Sequence, residues 1–370
     1  MKRIYWLLVA LALLLSCAPA LAEQSGTCGD GVTWSLDGSG TLTISGSGPM
    51  DSGEFWDAST QYIERIVIED GVTGIGGSAF MNLDSLTSVT IPDSVVSIGD
   101  YAFALCASLT GISIPDSVTS IGMYAFAGCG LTSVSIPASV TSIPEGAFLS
   151  AALTSVIIPD SVVSIDNSAF NGCEGLTSVA IPGSVVTIGP FAFYGCTGLT
   201  RVTISSGVAS IDEGAFACCG SLTSITIPAS VTAFGEYAFY ECDSLTDLYF
   251  EGTQAQWSAL SEGVNWGCEF QAHWLCRIGF SANGGDKTME NVEGWSGETV
   301  VLPECGFTRA GWAFTEWNTE ADGSSSAQTG VGVAYLPGDE YTLTDDIILY
   351  AQWEELLTFG TPDFTLPASV

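Results

Sequence analysis

The chain has 370 residues, 47% of them hydrophobic, which is enough material for one or more substantial cores. It carries 41 acidic residues against seven basic ones, and its formal net charge is −34. A field of this sign repels nucleic acid and anionic membrane surfaces, so both are excluded as partners. The acids are interpreted as groups that keep an exposed molecule soluble, with attraction of a specific cationic partner as the alternative.

The first 22 residues have the pattern of a secretory signal peptide. A basic start is followed by the apolar run Ile4–Leu15 and by a small-residue tract that ends at Ala22, where cleavage is expected. The alternative is a lipoprotein box at Leu14-Leu15-Ser16-Cys17, in which Cys17 becomes the lipidated first residue. No later segment offers the roughly 18 uninterrupted apolar residues of a membrane span. The sequence therefore predicts a secreted protein, either free or held by a lipid.

Residues 23–65 are predicted to cap the front of the fold. Val32–Leu36 and Thr41–Ser45 alternate between apolar and polar side chains on either side of the turn Asp37-Gly38-Ser39-Gly40. Two short alternating runs joined by a glycine-containing turn are typical of a β-hairpin. Such a hairpin can cover the first unit of the repeat that follows it.

A repeat of 22 or 23 residues fills residues 66–250. An Ala-Phe pair recurs eight times, with its phenylalanine at Phe80, Phe103, Phe126, Phe148, Phe170, Phe193, Phe216 and Phe239. The apolar positions of one unit cannot close a core alone, so the units must stack and cover one another. The sequence therefore predicts a β-rich solenoid of eight repeats, with the eight phenylalanines in its core.

Each unit divides into a strand and a turn. In Leu86-Thr87-Ser88-Val89-Thr90-Ile91, the L-x-x-L-x-L pattern directs three apolar residues inward and three hydroxyl residues outward. Pro92 then ends the strand, because proline has no N–H to give to the ladder. We expect Asp100 to cap a single helical turn that carries Phe103 inward.

The outward residues of the strands form the candidate ligand surface. They are mainly hydroxyls, and the residues selected as a binding site are Thr177, Ser178, Thr200, Arg201, Thr203, Thr223 and Ser224. Arg201 is the one basic residue between Arg65 and Arg277, so it is the strongest candidate for a specific contact. The alternative is that these residues are good strand formers that face water. No tryptophan lies in the repeats, which favours a protein over a sugar as the ligand of the solenoid.

Six of the twelve cysteines occupy one position of the repeat, three residues after the phenylalanine. They are Cys106, Cys129, Cys173, Cys196, Cys219 and Cys242. The other two units have Leu83 and Ala151 there, so the position is a small apolar core site and buried free thiols are favoured. The alternative is disulfides between neighbouring units, whose Cα atoms are expected about 4.8 Å apart. Cys268 and Cys276 are the better candidates for a bridge.

The periodicity is lost after residue 250. Residues 251–276 are predicted to form a C-terminal cap, in which a short helix at Gln254–Leu260 lays Trp257 over the last unit. Residues 277–354 are rich in Gly, Trp and Thr and are predicted to form a separate small β domain. Residues 355–370 are expected to be a linker and the start of a truncated repeat. Their last five letters repeat the opening of a unit, so further repeats are expected beyond this chain.

Candidate catalytic and metal-binding residues are scarce. His273 is the only histidine, so any Ser-His-Asp or Cys-His mechanism would depend on it, and a packed or surface imidazole is favoured. The absence of C-x-x-C, of H-E-x-x-H and of a second histidine disfavours zinc. Paired carboxylates for glycoside hydrolysis stay open among 41 acids, but no insertion interrupts the repeats to form a cleft. The sequence therefore predicts no catalytic residue, no metal and no cofactor.

The repeat motif I-P-x-S-V-x-S-I-G-x-x-A-F-x-x-C resembles the BspA-like leucine-rich repeats of bacterial surface proteins, and the match spans residues 66–250. The opening segment around Trp34 and the exit Tyr249–Trp257 are also similar to segments that flank such arrays. The resemblance implies a right-handed leucine-rich-repeat solenoid with short helical turns, located on the bacterial cell surface. It also implies roles in adhesion or host binding and no shared catalytic residues.

Residues 277–353 resemble the Listeria-Bacteroides repeat, also seen as the internalin B-repeat. The matching segments are Asn283-Gly284-Gly285, Trp317-Asn318-Thr319 and Leu349-Tyr350-Ala351-Gln352-Trp353. Ser281 and Glu316 depart from the usual Asp and Gly, which affects a local turn more than the fold. The resemblance implies a small β-grasp-like domain that acts as a spacer or binds a wall component or host ligand.

The leading functional hypothesis is a non-enzymatic extracellular or cell-surface adhesion scaffold that presents a solenoid face to a host or bacterial protein. The first alternative is a glycan- or cell-wall-binding protein that uses Trp295, Trp312 and Trp317 of the C-terminal domain. The more distant alternative is the localising part of a larger enzyme. Binding assays with glycans and with proteins distinguish the first two hypotheses.

Overall fold

The computed structural model describes residues 23–56, 61–324 and 332–356. The chain divides into two compact units, one that runs to Leu248 and includes Ala259–Ala272, and one that comprises Tyr249–Ser258 and the chain from His273 onward. The predicted signal peptide, the lipid site at Cys17 and the truncated repeat beyond residue 356 lie outside the described residues.

The first unit begins with an antiparallel meander of β1 (Gln24–Gly29), β2 (Val32–Leu36) and β3 (Thr41–Gly46). The Asp37 carboxylate closes the turn between β2 and β3. It accepts hydrogen bonds from the hydroxyl of Ser39 at 2.7 Å and from the backbone N–H of Thr41 at 3.0 Å, and these bonds lower the pKa of Asp37. The hairpin predicted from the sequence is therefore present, and β3 leads by parallel pairing into the repeats.

Most later turns of the chain contribute one strand to each of two faces, and the structure is a β-solenoid of about ten turns. The turn that contains residues 110–114 has a back strand but no front strand. The front strands are β5 (Arg65–Ile68), β7 (Ser88–Thr90), β10 (Ser133–Ser135), β12 (Ser155–Ile157), β14 (Ser178–Ile181), β16 (Arg201–Ile204), β18 (Ser224–Ile227) and β20 (Asp247–Phe250). The back strands are β4 (Gly48–Pro49), β6 (Val72–Ile75), β8 (Ser97–Ile98), β9 (Ser120–Ile121), β11 (Ser142–Ile143), β13 (Ser164–Ile165), β15 (Thr187–Ile188), β17 (Ser210–Ile211) and β19 (Ala233–Phe234). Equivalent residues of successive turns pair in parallel, as Val179 does with Val202.

The front sheet is interrupted on both sides of β10 and β12, which pair only with each other. These two strands follow the links Cys129-Gly130-Leu131 and Ala151-Ala152-Leu153, each one residue shorter than the link in the other turns. The shorter links bring β10 and β12 into register with each other. On one side the preceding turn has no front strand at residues 110–114, and on the other side β14 follows the longer link and pairs with β16.

A column of stacked aromatic rings forms the centre of the solenoid. The eight repeat phenylalanines are fully buried, and the ring centroids of successive turns lie 5.2–5.9 Å apart. Trp56 extends the column at one end, where it stacks on Phe80 at 5.3 Å, and Trp266 extends it at the other end, stacked on Phe239 at 6.1 Å. The column therefore passes through the eight Ala-Phe repeats and one further turn at each end.

The prediction of a helical turn around the Ala-Phe pair is wrong. The segment after Asp100 is an irregular turn in which Tyr101 and Leu105 have left-handed φ angles of 56° and 62°. The backbone N–H of Phe103 donates to the carbonyl of Ala125 in the next turn at 2.8 Å, and the N–H of Leu105 donates to the carbonyl of Ala127 at 2.7 Å. Because these amides bond between turns of the solenoid, they are not free to bond four residues back as an α-helix requires.

The segment after the last front strand contains the one helix of the described residues, α1 (Gln254–Ser261), with Trp257 buried. Thr253 and Gln256 form a reciprocal cap at its start. The Thr253 N–H donates to Oε1 of Gln256 at 2.9 Å, and the Gln256 N–H donates to the Thr253 hydroxyl at 3.3 Å. The short helix expected at Gln254–Leu260 is thus present.

The second unit is a small β structure. Its strands are β21 (Gln271–Ser281), β22 (Val292–Trp295), β23 (Thr299–Val301), β24 (Trp312–Asn318), β25 (Ala334–Tyr335), β26 (Glu340–Thr342) and β27 (Ile347–Glu355). β27 pairs with β21 in parallel and with β24 in antiparallel orientation, while β23 and β26 form a separate antiparallel pair. Trp317, Cys276 and Leu349 lie in its buried core.

Candidate functional site

The seven residues selected from the sequence all lie on the outward side of three neighbouring front strands and their approaches, and all are exposed. In β14 and β16 the side chains alternate strictly between exposed and buried, as a half-buried strand requires. Ser178 pairs with Arg201, and Thr203 pairs with Thr226 of β18. Because the strands are parallel and in register, the structure brings the selected residues onto one continuous surface, which we call the front face.

Two of the selected hydroxyls are used by the fold itself. The Thr200 hydroxyl donates to the carbonyl of Thr177 at 3.1 Å, and the Thr177 hydroxyl donates to the carbonyl of Thr154 at 3.5 Å. The same bond joins Thr154 to Thr132 and Thr246 to Thr223. This threonine ladder crosses the interruption between β12 and β14, so its hydroxyls act first as links between turns.

The side chains that remain available to a ligand lie one or more positions after the ladder threonine of each strand. They are chiefly Ser178, Arg201, Thr203 and Ser224. Among the described residues, the Arg201 guanidinium has neither an ion pair nor a hydrogen bond to the protein. An unpaired guanidinium offers five N–H donors in a planar fork, which suits a carboxylate or a backbone carbonyl of a partner.

The front face is nearly uncharged, although the molecule has a formal charge of −34. From Thr87 to Thr226, the outward strand positions carry hydroxyl, glycine, alanine and isoleucine side chains, and Arg201 is the one charged residue among them. Apart from Asp247 in β20, the acids of the repeats lie in the connections, for example at Asp93, Asp166 and Glu213. A partner that approaches the front face therefore avoids most of the negative field.

Ile157 is a front-face residue that the sequence analysis missed. It occupies the outward position of β12 opposite Ser135, and 66% of its surface is exposed. Alignment of the repeats carries the signal, because the equivalent positions hold Thr90, Ser135 and Thr203. A single exposed isoleucine among hydroxyls gives the face an apolar contact point.

The cysteine column has no catalytic geometry. All six thiols are free and buried, and each donates a hydrogen bond to the carbonyl of the phenylalanine of the preceding turn, at Sγ to O distances of 2.9–3.3 Å. Burial raises the pKa of Cys173 to about 12, so this thiol stays protonated at neutral pH. A protonated, enclosed thiol is a poor nucleophile and metal ligand.

Cys268 and Cys276, the two candidates for a bridge, are both free thiols. Cys276 is fully buried among apolar side chains in the core of the second unit, where it packs as a free thiol. The imidazole of His273 stacks on Tyr249 at 4.8 Å, and its Nδ1 lies 3.1 Å from the carbonyl oxygen of Ser296. This histidine is therefore packed against an aromatic ring and a backbone group.

Trp317, one of three tryptophans considered for glycan binding, is fully buried and donates its indole N–H to the carbonyl of Pro303 at 3.1 Å. Trp295 and Trp312 are partly exposed, and the guanidinium of Arg309 lies 4.0 Å above the Trp312 ring. Two of the three tryptophans considered for glycan binding are therefore accessible.

No group of three or more His, Cys, Asp or Glu side chains in metal-binding arrangement occurs in the part of the chain that the structure describes. Within the same residues, no helix is long and apolar enough to cross a membrane.

Solved leucine-rich-repeat proteins are similar to this chain. One from Bacteroides ovatus is 24% identical over 66% of this chain and 77% of its own, with a TM-score of 0.50. One from Eubacterium ventriosum is 24% identical over 65% and 77%, with a TM-score of 0.47, and the leucine-rich-repeat protein of T. pallidum is 23% identical over 69% and 97%, with a TM-score of 0.37. No curated protein is a significant match.

Family models match most of the chain. The BspA type leucine rich repeat region matches residues 54–177 and 163–258, which together cover more than half of the sequence. The Listeria-Bacteroides repeat domain matches residues 277–352. The phenylalanine column, the stacked strands and these matches agree, and the chain belongs to the BspA-type leucine-rich-repeat family and carries a Listeria-Bacteroides repeat domain after its solenoid.

Proposed function

We propose that this protein is a non-enzymatic, extracellular or cell-surface binding scaffold that presents its front face to a protein partner. The observation that carries the proposal is the uncharged, hydroxyl-lined front face with the unpaired Arg201 on a molecule of charge −34. Proteins of the BspA-type family are associated with bacterial surfaces, which supports an exposed location. The expected export through residues 1–22 is part of this proposal.

The front face suits a protein ligand more than a sugar. Sugar sites in proteins use aromatic side chains as stacking surfaces, and the front-face positions from Thr87 to Thr226 hold none. Ile157 offers an apolar contact, and Arg201 with its neighbouring hydroxyls offers hydrogen bonds. Interfaces between proteins combine an apolar centre with a polar rim in this way.

The test is a charge reversal with a matched control. Arg201→Glu should weaken binding of a partner recovered on the immobilised protein by at least about tenfold, because it replaces a donor by a repelling carboxylate at an interface. Arg65→Glu makes the same charge change in the same column of the front sheet, six turns or roughly 30 Å away, and should have little effect. Affinity is measured by surface plasmon resonance, and melting temperature checks that both variants fold.

Unchanged affinity of Arg201→Glu for every partner recovered would remove Arg201 from the binding site. Equal loss for both variants would show that the overall field governs binding and not this contact. Binding that depends on Trp295 or Trp312, and that is found on a glycan array, would favour the glycan-binding alternative.

A further inference from the structure

A second candidate binding site lies away from the front strands, on the side of the solenoid formed by the turns around the Ala-Phe pairs. We call this side the turn edge. Phe191 and Tyr194 form one wall, Tyr237 and Tyr240 form the other, and Gly214 and Ala217 form the floor of a cleft of about 370 Å³. We call it the tyrosine cleft. Its three tyrosines are each between 37% and 40% exposed.

The cleft exists because the middle of three successive turns lacks large side chains. The residues that precede and follow the Ala-Phe pair are aromatic in the sixth and eighth repeats, whereas in the seventh they are Gly214 and Ala217. The walls are therefore two turns apart, roughly 10 Å. The Phe191 ring lies against Gly214, 2.6 Å from the position that a Cβ would take there. An inserted group is therefore bounded by this ring on one side and by Tyr237 and Tyr240 on the other, with aromatic contacts at about 3.5–4 Å.

The backbone at the cleft has the conformation that every repeat adopts before its alanine. Phe191 and Tyr237 have left-handed φ angles of 54° and 59°, whereas Gly214 takes the same conformation at 58° between them. Glycine adopts this region without steric cost, and for a bulky residue it is an outlier. Tyr101, Tyr124 and Ser168 have the same conformation at the equivalent position, so it is a property of the repeat, and it gives Phe191 and Tyr237 equivalent positions on either side of Gly214.

The chemistry of the lining selects a cation. Glu213 lines the cleft, and the Glu241 carboxylate lies next to it, where it accepts a hydrogen bond from the Cys218 thiol at 3.5 Å. No lysine or arginine is among the lining residues. Aromatic faces attract cations through their quadrupole, and carboxylates add to the attraction.

We propose that the tyrosine cleft binds the basic side chain of an arginine or lysine residue of a partner polypeptide. The inference rests on the proposed function in one respect, that the partner is a protein. An anion is repelled by the carboxylates and by the net charge of −34. A neutral sugar can stack on the rings but gains nothing from the charges.

The closed tyrosine pair of the same turn edge provides an internal comparison. The rings of Tyr101 and Tyr124 stack directly at 5.0 Å with an interplanar angle of 8°, and the Tyr124 hydroxyl donates to the Glu145 carboxylate at 2.6 Å. The two rings are on adjacent turns, so no slot lies between them. This pair has aromatic rings and an acid but no room for a ligand.

The experiment uses the full chain labelled with 3-fluorotyrosine and observed by ¹⁹F NMR, with signals assigned through Tyr→Phe variants. The probes are N-acetyl-arginine methylamide, the citrulline analogue of the same shape without charge, and N-acetylglucosamine. The arginine probe should shift the signals of Tyr194, Tyr237 and Tyr240, leave that of Tyr101 in place, and bind about two- to fivefold more tightly than the citrulline probe.

Two variants test the cleft itself. Ala217→Tyr should fill it and abolish the shifts, and the fold should accept this residue because Tyr194 and Tyr240 occupy the same repeat position. Ala127→Tyr makes the same change outside the cleft and should leave binding intact. Glu213→Gln should weaken the arginine probe but not the citrulline probe.

Equal binding of the arginine and citrulline probes, shifts caused by N-acetylglucosamine alone, no shift with any probe, or shifts that survive Ala217→Tyr would each overturn the proposal. Its failure is distinguishable from failure of the front-face function. A protein partner that is lost with Arg201→Glu but retained by Ala217→Tyr would leave the front-face function standing and exclude the tyrosine cleft from that interaction.

Discussion

Phe170 shows at the scale of one residue what the aromatic column contributes. Its ring is fully buried between Phe148 at 5.4 Å and Phe193 at 5.2 Å. Phe170→Ala should lower the free energy of unfolding by about 3–5 kcal/mol, because it removes buried apolar surface and leaves a cavity that rigid neighbouring turns cannot fill. Chemical denaturation of the full chain measures the loss.

The control for Phe170 is Cys173→Ala, in the same turn. It removes one thiol and its hydrogen bond to the Phe148 carbonyl at 3.1 Å, for an expected loss of about 1 kcal/mol. Losses of equal size in the two variants would contradict the assignment of the column as the main support of the solenoid.

The buried thiols give a prediction for pH. Burial raises the pKa of Cys173 from 9.0 to about 12 and also raises the pKa of Cys196. Above pH 9 the unfolded chain loses these protons while the folded chain keeps them. The stability that the protonated thiols contribute is therefore complete below pH 9 and is lost as pH rises toward about 12.

Melting temperatures recorded between neutral pH and about pH 11 test this slope, which should be negative above pH 9. Iodoacetamide at pH 8 followed by mass spectrometry should leave the six column cysteines unmodified in the native chain and label them after denaturation. Rapid native labelling of Cys173 would show that the column opens.

At the scale of the structural element, the threonine ladder predicts unequal effects from equal substitutions. The Thr200 hydroxyl donates to the carbonyl of Thr177 at 3.1 Å, whereas among the described residues no hydrogen bond of the Thr203 hydroxyl is found. Thr200→Val should lower the free energy of unfolding by about 1 kcal/mol, and Thr203→Val should change it by less than about 0.5 kcal/mol. The two residues are exposed to solvent and lie three positions apart, so each is a control for the other.

The turn around the Ala-Phe pair is an element whose conformation the sequence did not predict correctly. Asp100 before an apolar run has the composition of a helix start, and a helical turn was expected from it. The structure instead places left-handed residues before the alanine and after the phenylalanine of every repeat, including Tyr101, Leu105 and Ser168. Hydrogen bonds to the next turn decide this conformation, and their acceptors lie about one repeat further along the chain.

For the whole molecule, the charge of −34 predicts a dependence of stability on salt. The folded chain holds its acids closer together than the unfolded chain does, so their repulsion destabilises the fold. Raising sodium chloride from roughly 10 mM to roughly 500 mM shortens the screening length from about 30 Å to a few ångströms and should raise the melting temperature by several degrees.

The control for the salt effect is pH. Near the isoelectric point of about 4.1 the net charge vanishes, and the same salt step should then change the melting temperature little. A similar rise at both pH values would assign the effect to general salt action on apolar surface and not to charge repulsion.

The sequence alone determined the solenoid and the burial of the phenylalanines, because a unit of 22 or 23 residues with one apolar side cannot close a core and must stack. It also determined which strand residues face outward, since alternation in a half-buried strand fixes the sides. Only the tertiary structure decided that the Thr177 and Thr200 hydroxyls are engaged, that Arg201 is unpaired and that small residues at Gly214 and Ala217 open a cleft. Each of these three features depends on residues one or two turns away in the stack, about 23 or 46 residues along the chain. The pattern of neighbouring residues in the sequence does not show which side chains are there.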